Sequence, residues 1–186
     1  MKKNNDGFTI VELIVVIAML VIFIGAVSVN VGRITDYDAK EGYKKISSAI
    51  TENKIETLGK AKMTGDIYLE IYRDDSDRNL YVQTIHNGRS SKDVVKKTKL
   101  NKRGRASVSY ELSDGTKVEN VGNSNPLVIC FNRASGAIVD INDGYKVSDL
   151  KYIYITAGSY EYTIELVPET GKVIGKYCLL YTSPSP

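Results

Sequence analysis

Histidine occurs once in this chain, as His86, and cysteine only twice, as Cys130 and Cys178. A structural zinc site takes four nitrogen or sulfur ligands, so these three residues cannot supply one. No spacing argument builds a Ser/His/Asp or Cys/His set around His86, and no G-x-x-x-x-G-K-[ST] loop is present to cradle phosphates. These absences argue against an enzyme, and no metal or cofactor is expected. Asp74, Asp75 and Asp77 suggest calcium at first sight, but an EF-hand loop needs Gly at its sixth position and Glu at its twelfth. Counted from Asp75, those positions hold Leu80 and His86, so the segment reads as a hairpin turn. Two cysteines do not make a disulfide framework. An exported compartment would permit one bridge, Cys130–Cys178; the alternative is a buried free thiol at Cys130. Tryptophan is absent, while tyrosine is abundant at 13. The four prolines are Pro126, Pro168, Pro184 and Pro186, so none interrupts residues 8–62. The net charge of +3 gives no global indication of nucleic-acid binding.

The most informative absence is charge between Leu13 and Gly32, 20 residues composed mostly of Ile, Val, Leu, Ala, Met and Phe. As a helix at about 1.5 Å per residue this run is about 30 Å long, enough to cross a bilayer. Glu12 stands at its head, behind a polar leader with Lys2 and Lys3. A secretory signal is cut after its apolar region at small residues, and no such site stands out between Asn30 and Tyr43. Here the polar-to-apolar break precedes the run, at Gly7-Phe8. A carboxylate near the edge of a hydrocarbon layer costs several kcal/mol unless it is paired. Two readings of Glu12 follow: it snorkels to the headgroups, or a neighbouring copy of the chain supplies a cation.

The residues Gly7-Phe8-Thr9-Ile10-Val11-Glu12-Leu13, continuing as Ile14-Val15-Val16-Ile17-Ala18, resemble the class III signal of type IV pilins and pseudopilins. The resemblance implies cleavage after Gly7 by a membrane prepilin peptidase, N-methylation of the new terminus at Phe8, and use of Glu12 in assembly. It implies as partners other pilin subunits in a helical filament, a membrane assembly platform, and membrane lipid before assembly. The freed amine of Phe8 in an adjacent subunit would meet Glu12 and fix the axial register, since a misplaced subunit leaves both charges alone. Lys2 and Lys3 before the run, against a mixed set after it (Arg33, Asp36, Asp38, Lys40, Glu41), place the N-terminus in the cytoplasm and the rest of the chain outside.

The helix is expected to continue past the membrane. Tyr43, Ile46, Ala49 and Ile50 fall on one face, with Ile55 and Leu58 near its edge, and Met63-Thr64-Gly65-Asp66 supplies a stop. Gly25 and Gly32 are the weak points, each costing about 1 kcal/mol against Ala. From Ile67 the period becomes two. Strands are expected at Ile67–Tyr72, Leu80–Ile85, Ala106–Leu112, Lys117–Val121, Leu127–Phe131, Ala137–Ile141, Tyr152–Thr156 and Tyr160–Leu166, with Lys172–Gly175 after the turn at Glu169-Thr170-Gly171. Asp114-Gly115 marks a hairpin tip, and the continuous apolar run Leu127–Phe131 marks a buried central strand.

The fold class is therefore α+β: a long N-terminal helix packed on an antiparallel sheet or small β-sandwich. Residues 1–7 form the leader and 8–62 the helix, divided into 8–32 and 33–62. Residues 66–177 form the extracytoplasmic domain. Residues 178–186 change in character, and Tyr-Thr-Ser-Pro-Ser-Pro reads as a translated adapter sequence, so they are set apart as a non-native tail. The order Phe131…Gly136-Ala137-Ile138…Tyr162-Thr163-Ile164…Thr170-Gly171-Lys172-Val173 is similar to the C-terminal half of GspH/FimT-type minor pseudopilins.

Basicity is local. Arg89, Lys92, Lys96, Lys97, Lys99, Lys102, Arg103 and Arg105, against Asp93 alone, give residues 89–105 a charge of +7 and leave the rest at −4. Such a cluster is the footprint of a polyanion site, and DNA is one candidate partner. Against it, no aromatics interleave within the segment, and charge runs are usually solvated loops. Two functions follow: a structural filament subunit, or a pilus-tip module holding DNA or another polyanion.

Overall fold

The computed structural model describes residues 10–87, 92–101, 105–140 and 147–179; the side chains of 26–35, 87, 92 and 176–179 are outside the description. The chain divides into two compact units, residues 1–34 and 35–186. A single helix, α1 (Ile10–Lys60), spans 51 residues and contributes to both.

In the second unit α1 is rich in good helix formers and carries two Glu-to-Lys pairs one turn apart, Glu41–Lys45 at 2.7 Å and Glu56–Lys60 at 3.0 Å. Its buried face is Ala39, Gly42, Ile46, Ile50, Asn53 and Thr57, each three or four residues from the last. Ile46 and Ile50 are in the core as expected, but Ile55 is 65% and Leu58 43% exposed. The stripe continues through polar Asn53 and Thr57, because helical phase rather than residue polarity sets which positions face inward. The helix ends at Lys60, where the Asp66 carboxylate accepts the N–H groups of Lys62 and Met63, both at 2.9 Å. Gly65, at φ 95°, reverses the chain.

Ten strands follow: β1 (Ile67–Arg73), β2 (Leu80–Asn87), β3 (Lys92–Lys99), β4 (Ser107–Leu112), β5 (Lys117–Val118), β6 (Leu127–Phe131), β7 (Ile138–Val139), β8 (Leu150–Ala157), β9 (Tyr160–Val167) and β10 (Lys172–Leu179). They form two five-stranded antiparallel sheets, ordered β3-β2-β1-β6-β7 and β10-β9-β8-β4-β5. Together with the helix they make an α+β, pilin-like arrangement. One core cluster joins Leu69, Ile71, Val82, Ile129 and Phe131 of the first sheet to Val108, Ile153, Ile155 and Ile164 of the second, and to Ala39, Ile46 and Ile50 of α1. Each fully buried Leu, Ile or Phe contributes about 1.5–3 kcal/mol.

The helix meets both sheets. Tyr43 packs on Tyr162 of β9 at 5.7 Å between ring centroids, and the Tyr162 hydroxyl donates to Asp36 at 2.5 Å. Further along, the Lys45 ammonium donates to the Lys99 carbonyl at 2.8 Å, and Glu56 lies 3.4 Å from His86 at the end of β2. The sheets themselves meet where the Ile138 N–H donates to the Pro168 carbonyl at 2.8 Å.

Several sequence expectations change. The basic stretch is not simply a loop: Lys92–Lys99 is β3, an edge strand paired with β2. Lysines on both faces hide its period of two, and an edge strand tolerates them because they discourage pairing with another chain. β5 stops at Val118, with Asn120 left-handed at φ 53°. β7 is shorter than expected, and residue 141 lies outside the description. β10 takes in Cys178 and Leu179, paired with Glu161 and Tyr160, so the strand enters the segment that had been set apart.

Candidate functional site

In the first unit, α1 presents Ile10, Val11, Leu13, Ile14 and the following apolar residues to Ile24 exposed on every side. A helix that is apolar all round requires an apolar environment, either a membrane or packed neighbours. Glu12 lies in the first turn and is exposed, where a carboxylate also complements the positive end of the helix dipole. Nothing lies within 4 Å of a Cβ added to Gly25, so no packing contact demands glycine there. Gly7 and Phe8 lie outside the described residues. Among the described residues, no helix is long and apolar enough to cross a membrane. Side chains of the apolar run are described only as far as Gly25, so its far end does not enter that statement.

The basic residues do not form one surface. Strand alternation puts Lys96 on the face towards α1, where it pairs at the surface with Glu52 at 2.5 Å, and Lys97 on the opposite face. Lys97 sits 4.2 Å from the Tyr81 ring centroid, 5.4 Å from that of Tyr72, and 3.7 Å from the Asp74 carboxylate. A hydrogen bond to Tyr72 holds its ammonium above the ordinary lysine range. Lys99 follows on the same strand and Arg105 is exposed, while Lys102 and Arg103 lie outside the described residues. No aromatic lies within the basic segment itself, but Tyr72 of β1 and Tyr81 of β2 stand beside Lys97, a proximity that sequence order conceals.

Asp74, Asp75 and Asp77 form a turn. Asp74 Oδ1 accepts from the Ser76 N–H and hydroxyl, and Asp77 Oδ1 accepts from the Asn79 N–H. The Tyr81 hydroxyl donates to Asp77 at 2.5 Å, and with the Asn79 contacts it pulls the Asp77 carboxyl down to about 2. Among the described residues, no group of three or more His, Cys, Asp or Glu could hold a metal ion.

Cys130 is a free buried thiol beside Tyr68, Ile85 and Val128, and the side chain of Cys178 lies outside the description. Burial pushes the Cys130 pKa up, the setting of an inert structural thiol.

Residues 2–28 match the prokaryotic N-terminal methylation motif. That motif is a class III prepilin signal, consistent with a type IV pilin or pseudopilin, and it covers the start of α1 with Glu12 inside it. No curated protein and no solved structure matches the chain. Outside that motif, Phe131, Gly136 and Gly171 meet at one point of the fold. A Cβ on Gly171 would collide with the Gly136 carbonyl and come within 2.8 Å of the Phe131 ring.

Proposed function

We propose that this chain is a prepilin, a minor pilin or pseudopilin that serves as a structural subunit of a type IV pilus, a type II secretion pseudopilus or a competence filament. The observation carrying the proposal is the methylation motif at residues 2–28, set on a helix whose apolar residues from Ile10 to Ile24 are all exposed. Such a surface is costly in water, at about 25 cal/mol per Å², and both a bilayer and a bundle of like helices relieve that cost.

The steps follow from the residues. A prepilin peptidase removes residues 1–7 on the cytoplasmic side, and Phe8 becomes the methylated terminus. Residues 8–32 store the chain in the cytoplasmic membrane and later pack in the filament core. The β domain stays outside, handed to the filament by the assembly platform. Glu12 meets the Phe8 amine of an adjacent subunit. Incorporation out of register would leave two charges in an apolar bundle, so the pair selects register more than it adds stability. The chain is a substrate of the peptidase rather than itself a catalyst.

Two measurements test this. Intact mass of the membrane-extracted chain should show a terminus at methylated Phe8, whereas an intact Met1 would indicate a receptor anchored by one helix. A Glu12→Val chain should be processed normally yet enter filaments at least about tenfold more slowly, as loss of one buried charge pair implies. Incorporation at the wild-type rate would overturn the assembly role.

A further inference from the structure

The core takes Ala39, Tyr43, Ile46, Ala49 and Ile50 from α1 and nothing from residues 51–60. In that last stretch of helix only Asn53 and Thr57 are buried, and both are polar. Its apolar side chains, Ile55 and Leu58, are the exposed ones. The Thr57 hydroxyl donates to the Asn53 carbonyl at 2.8 Å, a bond inside the helix that ties nothing to the sheets. The Asn53 amide, able to make up to about four hydrogen bonds, has Nδ2 and Oδ1 buried with no hydrogen-bond partner among the described residues. We infer that residues 53–60 form a strap, which unwinds locally and leaves the sheets because its buried face is polar, while Ile46 and Ile50 stay packed.

Helices in folded proteins are held chiefly by burial of an apolar face, and this stretch buries none. What remains are polar ties at the surface: Lys54 to the Thr170 carbonyl at 2.6 Å, Glu56 at 3.4 Å from His86, and Glu52, just before the stretch, with Lys96. Exposed ion pairs contribute little, and the Glu56 carboxylate is shared with Lys60 of the same helix. Opening returns the Asn53 amide to water, so its lack of partners disfavours the docked form. Both sides of the strap are anchored. Ile50 lies in the core, and past the helix Ala61 is buried while Arg133 donates to the Lys62 carbonyl at 2.8 Å and, through its N–H, to Thr64 Oγ1 at 3.3 Å. Opening is therefore an internal event between two fixed points rather than fraying of a free end, and it lets the domain yield without exposing its core. It concerns a single copy of the chain, so it holds or fails independently of the filament reading.

The test is residue-resolved hydrogen exchange by NMR on the full chain in zwitterionic micelles. Amides of residues 54–60 should share one protection, at least about tenfold below that of residues 46–50 and insensitive to low urea, the mark of a local opening. Asn53→Leu keeps the branching of the side chain, removes both polar atoms, and should raise that protection about tenfold. Thr51→Leu, a change of similar helix propensity at an exposed position, should raise it no more than about twofold. The urea midpoint of Asn53→Leu is measured in parallel; should that variant fail to fold, the wild-type pattern alone decides. Equal protection across residues 46–60 overturns the inference, as does protection falling stepwise towards Lys60, which is fraying. Unchanged or lower protection in folded Asn53→Leu also overturns it, since the amide is then satisfied by bound water.

Discussion

Gly171 sits where the β9–β10 turn, the β6–β7 turn and the helix converge, and any side chain there must displace something. Its φ is 59°, the Gly136 carbonyl and the Phe131 ring crowd its Cβ position, and Lys54 crosses the same point to donate to the Thr170 carbonyl at 2.6 Å. Gly171→Ala should therefore destabilise the domain by about 1–3 kcal/mol, read as a lower urea midpoint with unchanged slope. Asp77 offers a different residue-scale check. Its folded pKa is depressed from 3.8 to about 2, so its contribution is present above about pH 4 and is lost as pH falls through about 2. The difference in melting temperature between wild type and Asp77→Asn should be full at pH 5 and shrink steadily towards pH 2. A difference independent of pH would show that the Tyr81–Asp77 contact is not formed in solution.

At the scale of elements, α1 illustrates how phase overrides hydrophobicity. Ile46 is fully buried and Ile55 is 65% exposed, though both are isoleucines on one helix. Ile46→Ala should cost about 2–5 kcal/mol, and Ile55→Ala should change stability by no more than about 0.5 kcal/mol. Chemical denaturation of the two variants side by side checks the rotation of the helix: equal losses would mean it is turned relative to the sheets. β3 makes the complementary point. Its lysines look like a solvated run, yet they belong to a strand because β2 supplies the hydrogen-bonding edge. Lys96, on the face towards α1, finds Glu52, and Lys97, on the opposite face, finds Tyr72 and Tyr81, so one run of charge serves two unrelated surfaces.

For the whole molecule, the two units use apolar residues in opposite ways. Residues 35–186 bury theirs in a core shared by helix and both sheets, while the described apolar residues of the first unit are exposed. A chain able to bury its own surface would not leave those residues uncovered, which is why the assembly prediction for Glu12→Val belongs at this scale. It concerns how copies meet, and no stability measurement on one copy would register it.

The sequence alone determined what depends on local order. The motif at Gly7 to Leu13, the uninterrupted helix, the turn at Asp74 to Asn79 and the buried run Leu127–Phe131 each follow from neighbouring residues through period, charge or turn chemistry. The charge-free run from Leu13 to Gly32 is likewise legible without any partner. The tertiary structure alone decided what depends on residues far apart in the chain. It divided the strands between two sheets, continued the buried stripe through Asn53 and Thr57, separated Lys96 from Lys97, and brought Glu56 of α1 to His86 of β2. The physical reason is that strand pairing joins distant segments, and no local pattern records which edge a strand will find.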